Sequence, residues 1–242
     1  MRETYIKQEA LSSKYSALVE SIEVYFQSSE QSIHKARNEI KVVDFEGEEL
    51  VVKSFKEPNW VNKVAYLLYK DSKAKRAYEY ALKIPDFTPA PIAYREFYER
   101  GLMKRSYFIS KKFDYDFTMK VPLDDPSFVD REALLQAFVE FTKKLHDSGI
   151  LHLDYSPGNI LIKKEGSSYH FKIVDINRMK FKKLSQNDRM KNFAKLGASD
   201  EDLSFMVYNY SQDKKDVSLA IEYARKHQGF RAFKKRMKKL LK

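Results

Sequence analysis

Hydrophobic and polar positions alternate through the first half of the chain and recur every three or four residues through the second. Residues 39–45, a turn at Glu46-Gly47-Glu48, and residues 50–55 read as a β-hairpin. Residues 60–68 and 72–84 carry helical spacing. The second of these opens on Ser72, an N-cap whose hydroxyl can accept from a first-turn amide. Two more strands, 91–97 and 102–110, flank a turn at Glu99-Arg100-Gly101, and residues 111–119 form a polar connector. Leu134, Leu135, Phe138, Val139, Phe141 and Leu145 then place an apolar stripe on a helix over about 130–146, which Gly149 ends. After Asp175 the pattern predicts two or three helices, with Ser199 as N-cap for 200–210. No proline follows Pro157, so long helices are allowed there. Strands first, one connector, helices second: the chain reads as an α+β protein.

Composition narrows the classes. A chain of 242 residues with 16 Tyr and 17 Phe can bury a substantial core and is not a disordered segment. There is no internal repeat, and no apolar run approaches the roughly 20 residues that span a bilayer. The first fifteen residues are mixed in charge and lack an apolar signal core, so a cytoplasmic location is expected. The absence of cysteine excludes a disulfide framework and thiolate zinc sites. A net charge of +11 favours anionic partners: nucleotide, phospholipid, acidic glycolipid or nucleic acid.

The candidate chemistry lies in His152-Leu153-Asp154-Tyr155-Ser156-Pro157-Gly158-Asn159, a polar turn followed by two apolar strand-like runs, the second ending at Asp175. Phosphoryl transfer from a nucleotide requires a carboxylate for the acceptor hydroxyl and oxygen ligands for magnesium around the phosphates. Asp154, Asn159 and Asp175 supply those groups in the H-x-D-x-x-x-x-N…D spacing of kinase catalytic and metal loops. Taken singly, each residue also has an ordinary use: Asp154 can cap a turn, Asn159 can satisfy backbone groups, and Asp175 can be a solvated strand end. His152 is expected to brace the loop by hydrogen bonding rather than to take part in chemistry.

HLDYSPGN together with VDINR resembles the lipopolysaccharide core kinases, the Kdo and heptose kinase family, over roughly residues 39–181. The same skeleton occurs in RIO-type atypical protein kinases and in aminoglycoside and choline phosphotransferases. The resemblance implies a protein-kinase-like two-lobed fold in a single domain, 1–242. The small β-rich N-terminal lobe would cover about 1–112, the hinge about 111–119 and the larger helical lobe about 120–242. It also implies ATP and magnesium as cofactors, Asp154 at the acceptor hydroxyl, and Asn159 and Asp175 as metal ligands. The chain departs from the protein-kinase pattern after Asp175, where Ile176 and Asn177 replace the usual Phe and Gly and Arg178 follows. An Arg at this position is shared with the lipopolysaccharide core kinases. It can pair with a phosphate or anchor the loop to a carboxylate. No A-P-E segment follows, so a protein-substrate platform is not expected.

For the phosphate-clamping lysine, Lys53 in Leu-Val-Val-Lys-Ser-Phe is the first choice, with Lys56 as rival and an aggregation-blocking edge lysine as the ordinary alternative. Glu79, the only Glu between Glu57 and Pro85, is its expected ion-pair partner; an exposed pair with Lys75 or Lys83 at i±4 is the other possibility. A glycine-rich phosphate loop is missing: the seven glycines all fall after Phe45. Residues 28–37 stand in its place, where Ser32, His34, Lys35 and Arg37 can cover phosphates with hydroxyls, amides and positive charge.

Residues 229–242 hold seven Lys or Arg and no acid, with Phe230, Phe233, Met237, Leu240 and Leu241 at helical spacing. Such a helix either lies peripherally on an anionic inner-membrane surface or packs on the protein with a solvated basic face. Arg178, Lys180, Lys182 and Lys183 form a second basic cluster, suited to an acidic glycolipid or core-sugar substrate; no RNA-binding motif occurs, and nucleic acid is not expected. The expected protein is a monomeric kinase acting on a Kdo or heptose hydroxyl. A RIO-like protein kinase or ATPase and a pseudokinase binding module are the rival readings.

Overall fold

The computed structural model describes residues 4–10, 12–35, 38–57 and 71–240. The expected helix 60–68 and Arg37 lie outside the described residues. The chain divides into two compact units, Met1–Phe113 and Asp114–Lys242.

The first unit is built on a six-stranded antiparallel sheet. Its strands are β1 (Thr4–Ala10), β2 (Ser32–Lys35), β3 (Glu39–Phe45), β4 (Glu48–Phe55), β5 (Pro91–Glu99) and β6 (Leu102–Lys111), in the order β1-β5-β6-β4-β3-β2. Both predicted hairpins form, and their registers place Val43 opposite Leu50 and Tyr94 opposite Phe108. Strand β1 and the short helices α1 (Ser16–Glu20) and α2 (Ile22–Ser28) precede them. These three elements escape sequence periodicity because the helices are five and seven residues long, too short to display a repeat. Strand β1 is set by its pairing with β5, and burial decides the two helices: Leu18, Val19, Ile22 and Phe26 pack with Val43, Leu50, Val52 and Ile109 on one face of the sheet. Each such side chain contributes about 1.5–3 kcal/mol. Lys41 closes the end of α2, donating Nζ to the carbonyls of Phe26 (3.0 Å) and Ser29 (2.8 Å).

Alternation along β4 sends Phe55 to the opposite face. There it meets Tyr94 and helix α3 (Lys73–Lys83), whose Ala74, Ala77, Tyr78 and Ala81 are buried. Ser72 caps α3 as predicted, its hydroxyl accepting from the Lys75 amide at 2.9 Å.

In the second unit, the polar connector expected over 111–119 is partly strand. Strand β6 runs to Lys111, and β7 (Phe117–Thr118) pairs with β9 (Ile160–Glu165), which also pairs with β10 (Ser168–Ile173). Helix α4 (Lys120–Asp124) leads to α5 (Arg131–Asp147), which buries Leu134, Leu135, Phe138, Val139 and Leu145 along the predicted stripe. Gly149 ends it at φ +73°, and β8 (Ile150–His152) pairs with β11 (Met179–Phe181). Helices α6 (Gln186–Phe193), α7 (Asp200–Ser211) and α8 (Lys214–Leu240) complete the unit. Ser199 caps α7 as expected, accepting from the Asp202 amide at 3.1 Å. Among the described residues, no helix is long and apolar enough to cross a membrane.

Candidate active site

Strands β8 and β9 border the polar loop, and β10 and β11 border the turn that carries Asp175, so the register of four short strands fixes where these side chains emerge. Tyr155, next to Asp154, is the loop's anchor. Its ring is fully buried against Phe138 of α5, with centroids 6.0 Å apart, and its hydroxyl shares a hydrogen bond with Thr142 Oγ1 at 2.9 Å. A Tyr buries well only where its hydroxyl finds a partner, and α5 supplies one.

His152 is a brace. It is fully buried, donates from Nε2 to the Val174 carbonyl at 3.0 Å and accepts the Asp154 amide at Nδ1, also 3.0 Å. Those bonds require the neutral ring, and burial holds its pKa below the ordinary histidine value. One imidazole thereby ties the chain at Asp154 to the residue preceding Asp175. Asn159 adds two further ties. Its Nδ2 donates to the Asp154 carbonyl at 2.9 Å, and its own carbonyl accepts the Val174 amide at 2.9 Å. The side-chain oxygen of Asn159 is the atom that could ligate a metal.

Asp175 stands in the left-handed region at φ +58°. Asp tolerates this conformation better than most residues, yet it is uncommon outside glycine and concentrates where a site over-determines the backbone. Asn177 Nδ2 donates to its Oδ1 at 2.6 Å. The residue standing where protein kinases carry a glycine therefore orients the carboxylate. Arg178 is exposed, and its carbonyl accepts the Leu153 amide at 2.9 Å, so the loop is pinned from β11 as well.

Behind the loop runs a buried polar relay that sequence reading missed. His146 of α5 donates Nε2 to Asn192 Oδ1 (3.0 Å), and Asn192 of α6 donates Nδ2 to the His152 carbonyl (2.8 Å). Tyr210 of α7 donates to His146 Nδ1 at 3.1 Å. Burial pushes the His146 pKa down to about 4. Lys195, in the turn after α6, donates Nζ to the Leu153 carbonyl at 3.0 Å. His146, Asn192 and Lys195 carry no motif spacing, and only their burial with polar partners singles them out.

In the first unit, β4 lies between β6 and β3, so Lys53 is not on an edge and the aggregation-blocking reading of it is excluded. Its side chain is half-buried over the Phe55 ring (5.3 Å), on the sheet face that α3 covers, whereas Lys56 is exposed beyond the strand end. Among the described residues the expected Lys53–Glu79 ion pair is not seen. Glu79 instead pairs with Lys75 at 3.5 Å, one turn away on α3, and Lys75 bonds Asp71 at 2.8 Å. The i,i+4 partner is supplied by the helix itself and needs no tertiary approach. Ser32 and His34 sit on edge strand β2, with Ser32 opposite Lys41 and His34 opposite Ile40.

An antiparallel sheet unit followed in chain order by a mainly helical unit, which ties Asp154, Asn159 and Asp175 into one hydrogen-bonded frame, is the arrangement of a kinase of the protein-kinase-like fold. Residues 80–218, more than half of the chain, match the family model described as Lipopolysaccharide kinase (Kdo/WaaP) family, and the chain belongs to that family. Among solved structures it is similar to WaaP in complex with acyl carrier protein. That match has 14% identity and a TM-score of 0.58, over 97% of this chain and 99% of that one. A Mycobacterium tuberculosis PknI kinase domain aligns over 76% of this chain and 72% of its own, at 12% identity and a TM-score of 0.44. Direct comparison with curated proteins finds no match.

Proposed function

We propose that the protein transfers the γ-phosphate of ATP to a hydroxyl of a lipopolysaccharide inner-core sugar, Kdo or heptose, with magnesium. The observation that carries this reading is the single hydrogen-bonded frame holding Asp154, Asn159 and Asp175. Asp154 orients the acceptor hydroxyl and accepts its proton as the new P–O bond forms and the bond from the γ-phosphorus to the β–γ bridging oxygen breaks, releasing ADP. Asn159 and Asp175 offer one amide oxygen and one carboxylate to the metal. Among the described residues no group of three or more His, Cys, Asp or Glu forms a complete metal cage. That donor set fits magnesium, which takes one or two carboxylates together with nucleotide phosphates and water. When bound, the ion neutralises phosphate charge. Lys53 serves as phosphate clamp, and Ser32 and His34 line the place of the missing glycine loop.

Kinase reactions with labelled ATP and a panel of Kdo-lipid A, heptosylated core and a generic protein substrate test the reading. Label should enter a core acceptor and be lost in Asp154→Ala, which should still bind nucleotide. Labelling of protein alone would replace the reading with a protein kinase.

The same reading places the end of α8 on an anionic membrane surface. Phe230 (55% exposed) and Phe233 (59%) face solvent with Met237 and the exposed Arg231, Lys234 and Arg236. Apolar side chains that the described fold leaves uncovered, set among cations, suit the interface of an acidic bilayer. Flotation with anionic liposomes, with and without residues 229–242, tests this. Equal binding by both forms would remove it.

A further inference from the structure

The neighbourhood of Asp154 is unusually cationic, and its cations are of two kinds. Lys182 and Arg189 are neutralised by Asp188 (2.5 Å) and Asp147 (2.6 Å). Arg178, Lys180 and Lys195 are ion-paired with no carboxylate among the described residues. Exposed lysines and arginines often lack partners, and for Arg178 and Lys180 that alone would mean little. Lys195 is different. Its ammonium is drawn into a half-buried position, its hydrogen bond among the described residues goes to the neutral Leu153 carbonyl, and a partly buried charge with no ion-paired carboxylate is costly unless function retains it. Burial lowers its pKa, Asp154 opposes that shift, and Arg178 and Lys180 add to it, so Lys195 lies within the field of all three.

The backbone explains how they converge. Leu153 is held at both polar atoms: its amide donates to the Arg178 carbonyl, and its carbonyl accepts from Lys195. Arg178 and Lys180 flank the buried Met179 and are both exposed, so they emerge on the same side at the start of β11. Helix α8 closes the group with His227 and, one turn on, Arg231. His227 is subject to the charges of Arg231, Lys195 and Asp154. Lys195 follows α6, His227 and Arg231 lie on α8, and Arg178 and Lys180 flank Met179 at the start of β11, whereas Asn159 precedes β9 and Asp175 follows β10.

We propose that Lys195, Arg178 and Lys180, with His227 and Arg231 at the rim, form a subsite for an acidic group on the acceptor, adjacent to the hydroxyl that Asp154 addresses. This rests on the inner-core kinase reading and adds its specificity residues. An anionic acceptor brought up to Asp154 meets the repulsion of a carboxylate, and these cations offset it at close range. The shared chemistry is a cluster of anionic oxygens, from either a sugar carboxylate or a phosphate monoester.

Lys195→Met and Lys195→Arg, with Arg178→Ala, test the proposal by kinetics and by binding. With a core acceptor, Lys195→Met should raise the acceptor KM at least tenfold and leave the ATP KM within twofold, and Lys195→Arg should recover most of the loss. Esterifying the acceptor carboxylate, or separately removing its phosphates, should abolish the difference between wild type and Lys195→Met for whichever group docks there. A rise confined to the ATP KM, or an equal loss with both modified acceptors, would overturn the subsite. Inorganic phosphate titrated into the whole protein supplies a readout that needs no acceptor. Backbone NMR shifts at Leu153 and Arg178 should saturate in wild type and not in Lys195→Met or Arg178→Ala. Absence of saturation in wild type would refute the anion site. Saturation without transfer to any core acceptor would keep the site and refute the inner-core reading instead.

Discussion

Asn159 donates its side-chain amide to the main-chain carbonyl of Asp154 at 2.9 Å, so the proposed metal ligand also sets the conformation of the proposed catalytic carboxylate. The six residues 154–159 are closed into one ring by that bond, and the Val174 amide on the Asn159 carbonyl carries the constraint to Asp175. A loop that must present three oxygens cannot be mobile, because misplacement of about 1 Å costs on the order of 100-fold in rate.

Asn159→Ala should therefore lose both brace and ligand. Transfer is expected to fall by at least 100-fold, and stability by about 1 kcal/mol for the lost hydrogen bond. Steady-state kinetics and urea denaturation of the same preparation measure the two effects. A variant retaining more than half of wild-type activity would contradict the assignment.

Asp175 combines a chemical and a conformational role that two substitutions separate. Asparagine tolerates φ near +58°, whereas alanine pays roughly 1–2 kcal/mol in the left-handed region. Asp175→Asn and Asp175→Ala should both lose magnesium-dependent nucleotide binding, with the Ala variant melting at the lower temperature. An Ala variant as stable as the Asn variant would show that the backbone is not constrained there.

The His146 relay makes stability depend on pH. Its folded pKa, about 4, lies below the ordinary 6.5 because burial disfavours the charged ring. Its contribution is therefore complete above pH 6.5 and is lost as pH falls through 4; it amounts to roughly 3 kcal/mol. His152, lowered by burial, acts in the same direction. Urea midpoints at pH 7.5, 5.5 and 4.5 should fall steadily in wild type. His146→Gln should start lower and fall less. Parallel curves would exclude His146 as a source of the pH dependence.

Gly149→Ala should be destabilising for two independent reasons. The residue lies at φ +73°, and an added Cβ would meet the Lys182 carbonyl oxygen at 3.0 Å. A cost of about 1–3 kcal/mol is expected. Since Lys182 also donates its amide to the Gly149 carbonyl at 2.9 Å, the β8–β11 pairing beneath Asp154 should loosen and activity should fall as well. Thermal melts and transfer assays would show both losses. An unchanged melting temperature would mean that the turn relaxes at no cost.

By itself the sequence determined what local pattern can encode. That includes the two hairpins, the Ser72 and Ser199 caps, the apolar stripe of α5 and the H-x-D-x-x-x-x-N…D spacing. Period, cap chemistry and turn residues act within a few positions of one another and survive without tertiary contacts. Tertiary structure decided the rest. Helices α1 and α2 exist because the sheet offers them a buried face, β1 because it pairs with β5, and residues 117–118 became strand because Leu161 and Ile162 pair with them. Glu79 found Lys75 in place of Lys53, since a helix neighbour lies within reach at no cost in folding entropy. Asn192 and Lys195 bond the loop from 40 and 42 residues away, and His146 bonds Asn192 across 46. Burial of polar groups forces such partners together, and no local spacing announces them.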